Sequence, residues 1–120
     1  AAFAAGLGTF SLSDGFITSR GIAHRCGSII TDLKLIPTPR TFLNHLSNCL
    51  HYHDGSCGAC INRCPVGAIS RDGHNKTGCR ELVYGTAPAT LSELYGTPQT
   101  GCGLCQTKVP CEAQVPLHRR

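Results

Sequence analysis

The pattern of apolar and polar positions changes character twice along this 120-residue chain. Residues 1 to 36 alternate small, apolar and glycine positions. Within them FITSR and CGSIITDLKLI carry the period-two alternation of strands, joined around Gly21. The pattern predicts a β-hairpin following a short Ala-rich helix. Pro37 and Pro39 then break the chain, and TFLNHLSNCLHY places apolar side chains at 42, 43, 46 and 50, the spacing of one short amphipathic helix. Beyond Cys49 every segment is short. INRC predicts a single helical turn before Gly67, and CRELVY and ATLSELYG predict two brief helices interrupted at Ala87-Pro88. The tail TPQTGCGLCQTKVPCEAQVP, with three prolines and two glycines, is expected to be irregular. The fold class is therefore α+β: a short hairpin region at 1–40, followed by a small, loop-rich module at 41–120.

Composition adds a stability problem. Fourteen glycines and seven prolines in so short a chain leave a modest apolar core, so something besides apolar burial is expected to stabilise it. Nine cysteines offer disulfides or metal, and the odd count leaves one thiol over if all pair. AAFAAGLG lacks the basic leader and processing site of a signal peptide, and no run reaches the roughly 18 apolar residues of a membrane span. The chain contains no methionine and opens inside a predicted helix, so it reads as a piece of a longer protein. Thiols kept free for metal suit a reducing, cytoplasmic compartment.

Cysteine spacing decides between disulfide and metal. Bacterial-type ferredoxins use C-x2-C-x2-C-x3-C-P, in which the cysteine before proline leaves its own motif and ligates the other cluster. Cys57, Cys60, Cys64 and Pro65 match the last three cysteines and the proline, and VGAI follows. Asp54 stands where the first cysteine belongs, so that cluster needs either Asp54 through oxygen or Cys49 reaching in from upstream. Thiolate is the usual ligand type and favours Cys49. Cys102 and Cys105 form a second C-x2-C pair. By the crossover rule Cys64 joins it, with Cys79 as the fourth ligand, which leaves Cys111 to return to Cys57 and Cys60. Two 4Fe-4S clusters are thus expected: Cys49, Cys57, Cys60 and Cys111 on the first, and Cys64, Cys79, Cys102 and Cys105 on the second. With four thiolates each cubane carries about −2 when oxidised, which offsets the formal net charge of +4. The basic residues are scattered without aromatic interleaving, so nucleic acid is not an expected partner.

The order AAFAAGLGTFSLSDG, CGSIITDL, CGACINRCPVGAI, a lone Cys79 and GCGLCQ resembles the C-terminal half of the epoxyqueuosine reductases and the related reductive dehalogenases. The resemblance covers nearly the whole chain and is most specific between 57 and 105. It implies a cobalamin-dependent reductase domain ending near residue 40 and running into a double-cubane ferredoxin module. It also implies the same division of the eight cysteines, with a redox partner or upstream reductase domain to receive the electrons. Two features depart from the family pattern: Asp54 replaces its first cysteine, and Cys111 follows a proline instead of preceding one. The family's catalytic acid and most of its corrinoid pocket have no counterpart here, so no complete catalytic site is visible.

Three further readings stand beside the electron-transfer one. A fragment of a cobalamin-dependent reductase would use Gly6 and Gly8 for close approach of a corrinoid or other planar ligand. A zinc-stapled binding module would use the same cysteines in two four-thiolate sites, although zinc does not need the C-x3-C-P crossover. Disulfides between C-x2-C partners would close strained local rings. Cys26 is expected to be a buried core thiol, and His51 and His53 to flank the first cluster from an exposed loop. GLGTFS lacks the preceding strand of a dinucleotide site. Asp14, Asp32 and Asp72 have turn-like surroundings, and no set of carboxylates, serines or histidines suggests hydrolysis.

Overall fold

The computed structural model describes residues 1–118. It is a small α+β arrangement with two two-stranded antiparallel sheets and several short helices. Strand β1 (Gly8–Phe10) pairs with β2 (Phe16–Thr18) in the register Gly8 to Thr18 and Phe10 to Phe16. The expected hairpin therefore exists, but the partner of FIT is the GTF stretch before it and not CGSIITDLKLI. Gly8 permits the pairing, because a Cβ there would collide with the Ile17 carbonyl. After β2 the chain turns at Gly21 (φ +85°) and runs to the far end of the sequence. There the Ile22 N–H donates to the Cys111 carbonyl at 2.9 Å and the Ala23 N–H to the Glu112 carbonyl at 3.1 Å.

Residues 27–40 form no regular element and are exposed throughout, so the alternation in CGSIITDLKLI has no sheet edge to join. Cys26 at its start is exposed, which corrects the expectation of a core thiol. The Ala-rich start makes turns rather than a helix. Its Ala5 and Leu7 amides reach back to the Ala1 and Ala2 carbonyls before Gly6 takes a left-handed φ of +74°.

The expected helix over 41–52 shrinks to α1 (Leu50–Asp54), closed by Gly55 at φ 74°. Upstream of it, polar side chains capture the backbone donors that a helix needs. Asn44 Oδ1 accepts from the Leu46 N–H at 2.8 Å, and Ser47 Oγ accepts from the Asn44 N–H at 3.0 Å. Helix α2 (Ala59–Arg63) ends at Cys64, whose extended backbone is the conformation the following proline imposes. Strands β3 (Ile69–Ser70) and β4 (Gly73–His74) form a small hairpin that the apolar pattern gave no hint of.

Helices α3 (Lys76–Glu81) and α4 (Ala87–Tyr95) are joined through a π-helical turn, Leu82–Thr86. The expected interruption at Ala87-Pro88 is thus a change of helical register and not a break. Pro88 sits in the first turn of α4, where its missing N–H and fixed φ are tolerated. Among the described residues of the tail, two 3-10 turns form, Leu104–Gln106 and Pro116–His118, as its composition leads one to expect.

Leu12, Ile17, Ile22, Cys49, Ile69, Val109 and Val115 make one core cluster. It draws on residues from both sides of position 40, so the expected segment boundary does not divide the core. Asp14, itself at φ 58°, meets His74 Nδ1 at 3.1 Å and Lys76 Nζ at 3.4 Å, linking the two hairpins. No helix among the described residues is long and apolar enough to cross a membrane.

Candidate metal centre

All nine thiols are free, and eight of them fall into two neighbouring groups whose members influence one another's ionisation. Cys49, Cys57, Cys60 and Cys111 line one mostly apolar cleft, walled by Leu12, Ala59, Val109, Pro110 and Pro116, and Cys105 reaches its edge. Two of these residues come from distant parts of the sequence, and both are fixed by the N-terminal hairpin. Next to Cys49, the Asn48 backbone N–H donates to Thr9 Oγ1 at 2.9 Å, and its side-chain amide donates to the Ile17 carbonyl at 3.0 Å. Cys111 is fixed by the Ile22 N–H on its carbonyl. Gly21 makes that approach possible, since a Cβ on it would overlap the Glu112 carbonyl.

Burial pushes the Cys60 thiol up to about 11, with Cys49, Cys57 and Cys105 adding to the effect. The Cys111 thiol is pushed up to about 12, again first by burial and then by Cys49, while Cys57 and Cys60 add smaller increments. At Cys60 and Cys111 burial and the neighbouring thiols therefore both oppose ionisation.

The second set is built around the end of α2. The Ala68 N–H donates to Cys64 Sγ at 3.1 Å, and the Ala68 carbonyl accepts the Asn75 N–H at 2.7 Å. Asn75 caps α3 by accepting from the Gly78 N–H at 3.2 Å, and Cys79 is the next residue. Arg63 closes the other side. Its Nε donates to the Leu104 and Thr107 carbonyls at 3.2 and 3.1 Å, and its Nη2 lies 3.3 Å from Thr107 Oγ1. This fork holds the Cys102 and Cys105 turn against the residue before Cys64. Burial raises the Cys79 thiol, with Cys102 and Cys64 next in effect. Burial also raises Cys105, and the Ser13 hydroxyl partly offsets it by favouring the thiolate. Cys105 adds to the rise at Cys60 across the junction between the two sets.

Asp54, the alternative first ligand, points elsewhere. Its carboxylate accepts the Ser56 N–H at 2.9 Å, lies 3.6 Å from His53 Nδ1, and is held below the usual carboxylate range chiefly by the Ser56 hydrogen bonds. It does not line the cleft, whereas Cys49 is buried in its wall. The two histidines also part company: His53 is exposed, while His51 lines the cleft with its Nδ1 buried and without a partner. Gly6 and Gly8 owe their missing side chains to contacts within the chain. A Cβ on Gly6 would stand 3.0 Å from the Thr38 carbonyl, and one on Gly8 would meet Ile17. Among the described residues, no three His, Cys, Asp or Glu side chains converge closely enough to share one metal ion. A cubane instead takes each thiolate on a different iron, so it calls for thiols spread around a cleft.

Sequence reasoning gave no role to Asn48, Arg63, Ser13 or Ala68. Only the serines carried a local signal, as polar residues at alternate positions in SLSDG, flanking Leu12. Ser11 and Ser13 are both buried, with their hydroxyls 2.9 Å apart. No protein-family profile, curated protein or solved structure matches the chain.

Proposed function

We propose that the chain is an electron-transfer module with a ferredoxin-like arrangement of two 4Fe-4S clusters, passing single electrons to a redox centre in the parent protein or in a partner. The observation that carries this reading is the grouping of eight free thiols into two sets of four across sequence separations of up to 62 residues, from Cys49 to Cys111. Cys49, Cys57, Cys60 and Cys111 would hold one cluster, and Cys64, Cys79, Cys102 and Cys105 the other. When bound, the clusters supply the one-electron chemistry. The chain's own part is to hold the thiolates, exclude water from the first cleft and direct an N–H at Cys64.

The orphaned His51 Nδ1 in the thiol-lined cleft further supports a sulfur-rich occupant, because buried polar atoms ordinarily have a partner. Anaerobic purification followed by iron and acid-labile sulfide analysis tests the reading. About eight of each per chain are expected. Stoichiometric zinc without sulfide would replace the reading with a zinc-stapled module, and additional corrinoid absorption in the full-length parent would identify it as part of a cobalamin-dependent reductase.

A further inference from the structure

Burial separates two histidines that lie two residues apart. His53 is exposed beside Asp54. His51 turns into the cleft formed with Cys49, Cys57, Cys60 and Cys111, and its Nδ1 is buried with no hydrogen-bond partner in the protein. Its ring packs edge-on against Tyr52 with 5.0 Å between centroids, which limits its choice of orientation. A buried imidazole nitrogen left unpaired loses its solvation without return. The other side-chain acceptors lining the cleft are the cysteine sulfurs and the hydroxyls of Ser11 and Ser13, and those two hydroxyls already bond each other at 2.9 Å.

We propose that His51 donates its Nδ1–H to a sulfur of the centre held in this cleft and so sets how readily that centre accepts an electron. The proposal rests on the reading of the four thiols as cluster ligands. Reduction adds one negative charge to the centre, and the apolar wall of Leu12, Val109 and Pro116 opposes that charge. A fixed N–H dipole directed at sulfur favours it, because hydrogen bonds to the sulfurs are among the factors that set cluster potential. The electron comes from an external one-electron reductant and stays on the centre. The proton remains on the His51 ring, so no bond breaks and the role is one of tuning rather than acid–base chemistry.

The geometry also fixes which substitutions conserve the interaction. An asparagine amide reaches roughly where Nδ1 stands, whereas a glutamine amide reaches toward Nε2. Redox titration of the cluster-loaded chain with dithionite, followed by electron paramagnetic resonance, tests this. His51→Phe is expected to lower the midpoint of the Cys49 centre, so that its reduced-to-oxidised ratio at fixed solution potential falls about tenfold, equivalent to 59 mV for one electron. The midpoint of the Cys64 centre stays in place. His51→Asn restores the midpoint, and His51→Gln and the control His53→Phe are expected to follow His51→Phe and the unaltered protein respectively.

In the unaltered protein, 15N-labelled histidine should give a weak hyperfine coupling to the reduced Cys49 centre, a measurement independent of whether any variant folds. No coupling, or an unchanged midpoint in His51→Phe, would overturn the proposal. So would a strong coupling with a three-iron form in His51→Phe, which would make His51 an iron ligand. A chain that binds no iron fails at the earlier step, the assignment of the clusters themselves.

Discussion

At the scale of single residues, Cys49 and Asp54 divide the roles that spacing alone left open. Cys49 is buried in the cleft wall, and Asp54 is turned toward Ser56 on the surface. Cys49→Ser is therefore expected to make one iron of the first cluster labile and favour a three-iron form. Asp54→Asn should leave both clusters intact and remove only a local turn bond worth about 1 kcal/mol. Low-temperature electron paramagnetic resonance of the oxidised proteins distinguishes the two, and an exchange of outcomes would make Asp54 the ligand. The candidate ligand types were legible in the sequence because thiol chemistry is local to a residue. Orientation was not. Cys26 and His51 stand in unremarkable sequence, yet one is exposed and the other lines the cleft with its Nδ1 buried.

At the scale of elements, the N-terminal hairpin holds Cys49 and Cys111, the two cleft cysteines that lie outside the central motif. Gly21 is its pivot: it combines a φ of +85° with a position where any Cβ would strike the Glu112 carbonyl. Gly21→Ala should cost about 1 to 3 kcal/mol for the left-handed backbone alone. The larger expected effect is displacement of Cys111, which is read as selective iron loss from the first cluster while the Cys64 set keeps its own. Chelator challenge with quantified iron release checks this, and equal loss from both clusters would contradict it. α2 and the irregular tail were legible from proline, glycine and apolar spacing. The partner of β2 was not, because period-two alternation identifies a strand without naming its neighbour, and the sheet edge that 27–40 would need is absent from the described residues. Nor did the sequence reveal that Pro88 continues a helix, since that depends on the π-helical turn before it.

At the scale of the whole molecule, the core is small. The buried apolar side chains among the described residues include Leu12, Ile17, Ile22, Ile69, Val109 and Val115, with Cys49 and two alanines completing the set. Several cysteines pack directly against this cluster. Occupants bound only by the folded state would add their binding free energy to folding. Removing iron anaerobically with a chelator is therefore expected to abolish cooperative thermal unfolding and near-ultraviolet circular dichroism, and restoring iron and sulfide should recover both. Retention of a sharp transition in the iron-free chain would show that the apolar core suffices by itself.

The sequence by itself determined the cysteine spacing, the end of α2 at Cys64-Pro65, the irregular tail and the modest size of the core. These follow from side-chain type and backbone restrictions that act within a few residues. The tertiary structure alone decided that the N-terminal hairpin reaches across to Asn48 and Cys111, that Arg63 ties α2 to the Cys105 turn, and that His51 rather than His53 faces the thiols. Those arrangements depend on hydrogen bonds and close approaches between segments dozens of residues apart. A short glycine-rich chain gives them little local signature, because the same glycine serves equally as a loop residue or as the one point where two backbones touch.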